Sequence, residues 1–105
     1  LLDEAGIDPA AIEGYEREAF THLAVAAAVA SGQADCGLGV QAAAAAFGLD
    51  FVPVASEPFD LVLDAETLGS PVFAPLAALL AEPELRAEIQ ALGGYDTAET
   101  GHRVA

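Results

Sequence analysis

Asp35-Cys36-Gly37-Leu38-Gly39-Val40-Gln41-Ala42-Ala43-Ala44-Ala45-Ala46-Phe47-Gly48 is the stretch that sets the expected fold class. Its first half alternates: Cys36, Leu38 and Val40 fall on one side, Asp35, Gly37 and Gly39 on the other. That period of two describes a short strand whose glycines allow close backbone approach. Its second half is alanine-rich, and alanine loses no side-chain entropy in a helix. Residues 41–47 are therefore expected to form a small helix closed by Gly48. A strand feeding a helix through a tight turn is the building step of an α/β unit.

The neighbouring segments extend the same pattern. Thr21 stands where an N-cap belongs, ahead of the run Leu23-Ala-Val-Ala-Ala-Ala-Val-Ala30, and Ser31-Gly32 ends that helix. Upstream, Leu1 to Gly6 reads as a helix end stopped at Gly6, and Asp8-Pro9 as a turn. Residues 11–15 read as a short strand carrying Ile12 and Tyr15, joined onward by the charged Glu16-Arg17-Glu18. Downstream, residues 51–54 read as a strand that Pro53 confines to an edge or end. Residues 59–63 read as another, with Phe59, Leu61 and Leu63 alternating against Asp60, Val62 and Asp64. Ser70-Pro71 opens a helix to about residue 81, disturbed at Pro75. Glu82-Pro83 opens the last helix, with Leu85, Ile89 and Leu92 on one face and Gly93-Gly94 as its stop. Asp96 and Glu99 have the spacing of a capping box for a final turn. The expected class is α/β, with a short, mixed, mostly parallel sheet flanked by helices.

Composition narrows the function classes. The chain has 105 residues, 54% of them hydrophobic, which supplies enough apolar material for a core. Three Lys and Arg stand against seventeen Asp and Glu, for a net charge of -14. Direct contact with nucleic acid needs several cations to neutralise phosphates, so no such contact is expected. Docking on an anionic membrane is opposed for the same reason. The longest apolar run falls far short of the roughly 18 residues that span a bilayer. One cysteine, Cys36, makes no internal disulfide, and no basic segment precedes an apolar one as in a signal peptide. A cytoplasmic setting is expected. Methionine is absent and the chain opens at Leu1, so a piece of a longer chain is expected.

Few residues suggest chemistry. Gly37-Leu38-Gly39-Val40-Gln41-Ala42 fits the G-x-G-x-x-A dinucleotide fingerprint, but the flanking elements are short, and a tight turn packed through glycine is the favoured reading. Thr21-His22 opens a helix whose unpaired N–H groups suit an oxyanion without any Lys or Arg; a simple cap with a surface histidine explains the same residues. Cys36 reads as a small buried filler rather than a nucleophile. His22 and His102 lack metal-ligand spacing with it. No catalytic set emerges, so this domain itself is expected to be non-catalytic.

Several segments together resemble the PBP-like domain family, a branch of the type 2 periplasmic-binding-protein superfamily. They are Gly14-Tyr15, Thr21-His22 with Ala24-Val25-Ala26, Val29-Ala30-Ser31-Gly32, and Ala34-Asp35 with Gly37-Leu38-Gly39. Gly48-Leu49-Asp50-Phe51-Val52-Pro53, residues 57–63, and Leu92-Gly93-Gly94-Tyr95-Asp96 with Thr100-Gly101 continue the match. The resemblance implies that residues 1–105 are a partial ligand-binding domain, namely the second lobe of the two-lobed fold; the chain end, residues 97–105, is expected to be a flexible tail. It implies a binding or sensing module for a small oxyanion such as molybdate or tungstate, with no other cofactor in this domain. Members occur attached to molybdopterin-biosynthesis domains, which would make the parent a molybdenum-cofactor biosynthesis enzyme, or to helix-turn-helix domains, which would make it a ligand-sensing regulator. A ligand-free structural or dimerisation module is the alternative. The ligand residues carried over are Thr21 and His22 at one helix start, Gly39, Val40 and Gln41 at another, and Tyr95, Asp96 and Thr100 on the returning segment. The implied partners are the ligand, the rest of the parent chain, and a second copy in a homodimer.

Overall fold

The computed structural model describes residues 1–104. Its elements are a short 3-10 turn (Pro9–Ala11), α1 (His22–Ala30), α2 (Gln41–Ala46), α3 (Ala65–Leu68), α4 (Ala74–Leu80) and α5 (Pro83–Ala91). Among the described residues there is no strand. The α/β class expected from the alternating segments is therefore overturned, and with it the sheet of a binding-protein lobe. The chain divides into two compact units, residues 1–50 and 51–105.

In the first unit the helices form where alanine dominates. The Thr21 hydroxyl accepts a hydrogen bond from the Ala24 N–H at 3.0 Å and starts α1. α1 and α2 end alike. Beyond α1 the Gln33 N–H reaches back to the Ala28 carbonyl, and beyond α2 the Leu49 N–H reaches the Ala44 carbonyl. Gly32 and Gly48 sit between at φ +75° and +64°, the left-handed cap that glycine adopts without a Cβ clash. α1 packs on α2. Each helix buries one alanine, Ala26 and Ala43.

Two expected strands fail here for local reasons. Residues 11–15 are taken up by the 3-10 turn and the turn that follows it, with the Asp8 carboxylate capping Ala10 at 3.0 Å and the Tyr15 N–H donating to Ile12. Residues 36–40 are irregular and use their glycines against α1 rather than against a neighbouring strand. A Cβ built on Gly37 would collide with Val25 Cγ1 and lie 3.8 Å from Val29 Cγ2. The close approach read from these glycines is present, but its partner is a helix. Arg17 fixes the unit further by donating to the Gln33 carbonyl at 3.2 Å.

The second unit opens with residues 51–64, which carry no helix, strand, turn or bend. Residues 50–63 make no main-chain hydrogen bond. Both strands expected here are absent. Pro53 and Pro58 each lack an N–H, and a strand without a paired neighbour gains no ladder bonds to offset its ordering. Asp64 then caps α3, accepting from the Thr67 N–H and hydroxyl, each at 2.8 Å. The next helix starts later than Ser70-Pro71 suggests. α4 begins at Ala74, and Pro75 sits in its first turn, where a missing N–H costs no helical bond. Ser70 instead closes the preceding turn, its hydroxyl donating to the Thr67 carbonyl at 2.7 Å. α5 follows with Pro83 in its first turn, packs on α4, and gives way to Gly93-Gly94 as expected. Of its expected apolar face, Leu85 and Ile89 are half-buried and Leu92 is exposed.

Residues 97–102 are tied to α5. Gln90 Nε2 donates to Thr97 Oγ1 at 2.8 Å, and Arg86 Nη2 donates to the Thr100 carbonyl at 2.8 Å. Thr97 is buried. Asp96 does not form the expected capping box with Glu99. It accepts from the Ala98 N–H at 2.9 Å, while the Glu99 carboxylate lies 2.9 Å from His102 Nδ1. Ala105, the end of the expected tail, lies outside the described residues.

Candidate functional site

The two helix starts expected to face a ligand both lie in the first unit. His22 is the first residue of α1, and its ring approaches the backbone leading into α2: a Cβ built on Gly39 would lie 3.8 Å from His22 Nδ1. Thr21, His22 and Gln41 are exposed, while Gly39 and Val40 are half-buried. His22 thus comes near Gly39, the residue that precedes Val40 and Gln41. The Thr21 oxygen is already engaged as a cap, and Val40 at the N-cap position of α2 supplies no side-chain bond.

Tyr95, Asp96 and Thr100 belong to the second unit. Tyr95 is exposed, Asp96 caps its own turn, and the Thr100 carbonyl is occupied by Arg86. Among the described residues no three His, Cys, Asp or Glu side chains cluster so as to hold a metal ion.

The half-cleft implied for an oxyanion is corrected by the fold. Such a cleft is made by helices whose N-termini are aligned at the ends of sheet strands, and the segment entering α2 is not a strand. Molybdate or tungstate binding, in a cofactor-biosynthesis protein or in a helix-turn-helix regulator, loses its structural basis with the sheet.

Sequence patterns missed the clasp formed by Arg86, Gln90, Thr97 and Thr100. The available signal was the i, i+4 spacing of Arg86 and Gln90, which places both on one side of α5. Arg86 also stands out as one of only three cations in the chain. Its Nε is buried and has no hydrogen-bond partner.

The Asp64 carboxylate accepts from both the N–H and the hydroxyl of Thr67. The Thr67 N–H, and after it the Thr67 hydroxyl, hold it below the usual carboxylate range. The ionised form is thus favoured by folding, so its contribution is complete above the ordinary carboxylate pKa and is lost as pH falls through the lowered value. In a carbon-detected NMR titration, the Asp64 carboxyl is expected to titrate below the usual carboxylate range. Thr67→Val is expected to move it back up, and no movement would mean that the hydroxyl contributes nothing.

A family model described as PBP superfamily domain matches residues 1–81. The chain belongs to this family. Membership holds at the level of sequence; the sheet-based lobe expected with it is absent from the described residues. The chain is 42% identical over 106 residues to the "Uncharacterized protein in ferredoxin 2Fe-2S gene 5'region" of Clostridium pasteurianum, covering 96% of this chain and 94% of that protein. It is 35% identical over 105 residues to the "Uncharacterized protein YvgK" of Bacillus subtilis (strain 168), covering 96% of this chain. That match spans only 33% of YvgK. No solved structure matches the chain. No described helix is long and apolar enough to cross a membrane.

Proposed function

We propose that this PBP-family chain acts by packing against further polypeptide, which covers apolar side chains that it leaves exposed. One observation carries this. The buried apolar residues among those described are two alanines, Ala26 and Ala43, in a chain that is 54% hydrophobic. Its large apolar side chains stand in solvent instead: Phe20 is 99% exposed, Phe59 94% and Val62 92%. Apolar exposure on that scale suits a surface that packs against another protein. YvgK supports the same direction, since most of its length lies outside the matched third. Cys36 is unpaired and exposed, which suits a reducing, cytoplasmic setting.

The test is the fluorescence of an apolar-surface dye such as ANS. The chain by itself is expected to enhance it strongly, and an excess of the unmatched part of YvgK, expressed separately, is expected to suppress the enhancement. Fluorescence at the level of buffer for the chain alone would overturn the proposal.

A further inference from the structure

Resting on the packing role just proposed, we infer that residues 57–62 recognise the partner, and that the partner presents an apolar stripe bordered by Lys and Arg. Every side chain from Phe51 to Glu66 is exposed. Phe59 and Val62 are almost fully so, with Leu61 between them 57% exposed. Glu57 and Asp60 interleave with these apolar groups. The backbone of the same segment makes no main-chain hydrogen bond, so its donors and acceptors are also available. Pro53 and Pro58 restrict the free chain, which lessens the freedom lost on docking.

Charge selects the border of that stripe. Between Arg17 and Arg86 the chain has no Lys or Arg, and both of these arginines donate to main-chain carbonyls. Neither Glu57 nor Asp60 has a cation close to it in sequence. A second copy of this chain is a poor occupant, because each copy carries -14. A surface with basic residues around an apolar centre satisfies both kinds of side chain, and the charges would set orientation and rate of encounter.

The probes are two amphipathic helical peptides with the same leucine stripe, one flanked by lysines and one by glutamates. Binding to the full chain is read by isothermal calorimetry at rising salt. The lysine peptide is expected to bind with salt-sensitive affinity, and the glutamate peptide not to bind. Phe59→Ser with Val62→Ser should weaken binding by about tenfold or more. Glu57→Gln with Asp60→Asn should flatten the salt dependence. Glu88→Gln, which removes one exposed charge outside the segment, should leave affinity and its salt dependence unchanged. Equal binding of both peptides, or equal loss on Glu88→Gln, would overturn the assignment. Absence of binding while the chain still enhances ANS fluorescence overturns this segment alone; absence of that enhancement removes the packing role as well.

Discussion

Gly37→Ala lowers the stability of the first unit by about 1–3 kcal/mol, the usual cost of forcing extra carbon into a filled contact. The added Cβ meets Val25 Cγ1 on α1. Valine is branched at Cβ and nearly locked in a helix, so it cannot rotate away as a long flexible chain would. Relief has to come from the backbone of residues 36–40 moving off the helix. The test is urea unfolding followed by circular dichroism, with a second substitution as control. Val25→Ala removes the obstructing methyl groups, so Gly37→Ala is expected to cost much less in that background. A double-mutant cycle with no coupling between the two positions would show that this contact does not hold the segment. Larger side chains at Gly37 are expected to detach residues 36–40 altogether.

The second large effect concerns α5. Arg86→Ala removes a charged donor from the Thr100 carbonyl, and such bonds contribute about 1.5–3 kcal/mol. Gln90→Ala leaves the buried Thr97 hydroxyl without its partner, at a cost of about 1–3 kcal/mol. Either change is expected to release residues 97–102. Hydrogen exchange checks this directly: the amides of Thr100 and His102, which donate to Thr97 and Glu99, should lose protection while those of α1 keep it. Uniform loss across both units would mean global unfolding rather than release of the clasp. Arg86→Lys should rescue poorly, because an ammonium lacks the planar fork that reaches along the helix to a carbonyl.

Much of the helical content was legible in the residues. Thr21, the alanine run, Gly32 and Gly48 mark α1 and the end of α2, and each does so by a local mechanism: a side-chain cap, low entropy loss, a left-handed stop. Pro83 and Gly93-Gly94 bracket α5 in the same way. Pro75 was legible only in part. It signalled a break, and the break proved to be the start of α4. The alternating segments misled because alternation states which side chains would share a face, whereas a strand also needs a neighbour to receive its N–H and C=O groups. Cys36-Gly37-Leu38-Gly39-Val40 found a helix instead, and residues 51–63 found no main-chain partner. The candidate ligand residues inherited that error, since their convergence presupposed a sheet. His22 and Gly39 do come close, but through the packing of α1 against the segment before α2.

The sequence by itself determined the starts and stops of α1, α2 and α5, the acidity, and the need for close backbone approach at Gly37. These follow from properties carried within a few residues, such as φ freedom, cap chemistry and charge. Only the tertiary structure decided what the glycines approach, which polar groups clasp residues 97–102, and which apolar side chains stay in solvent. Those outcomes depend on contacts between segments distant in sequence, and a local pattern fixes a segment's surface without fixing what that surface meets.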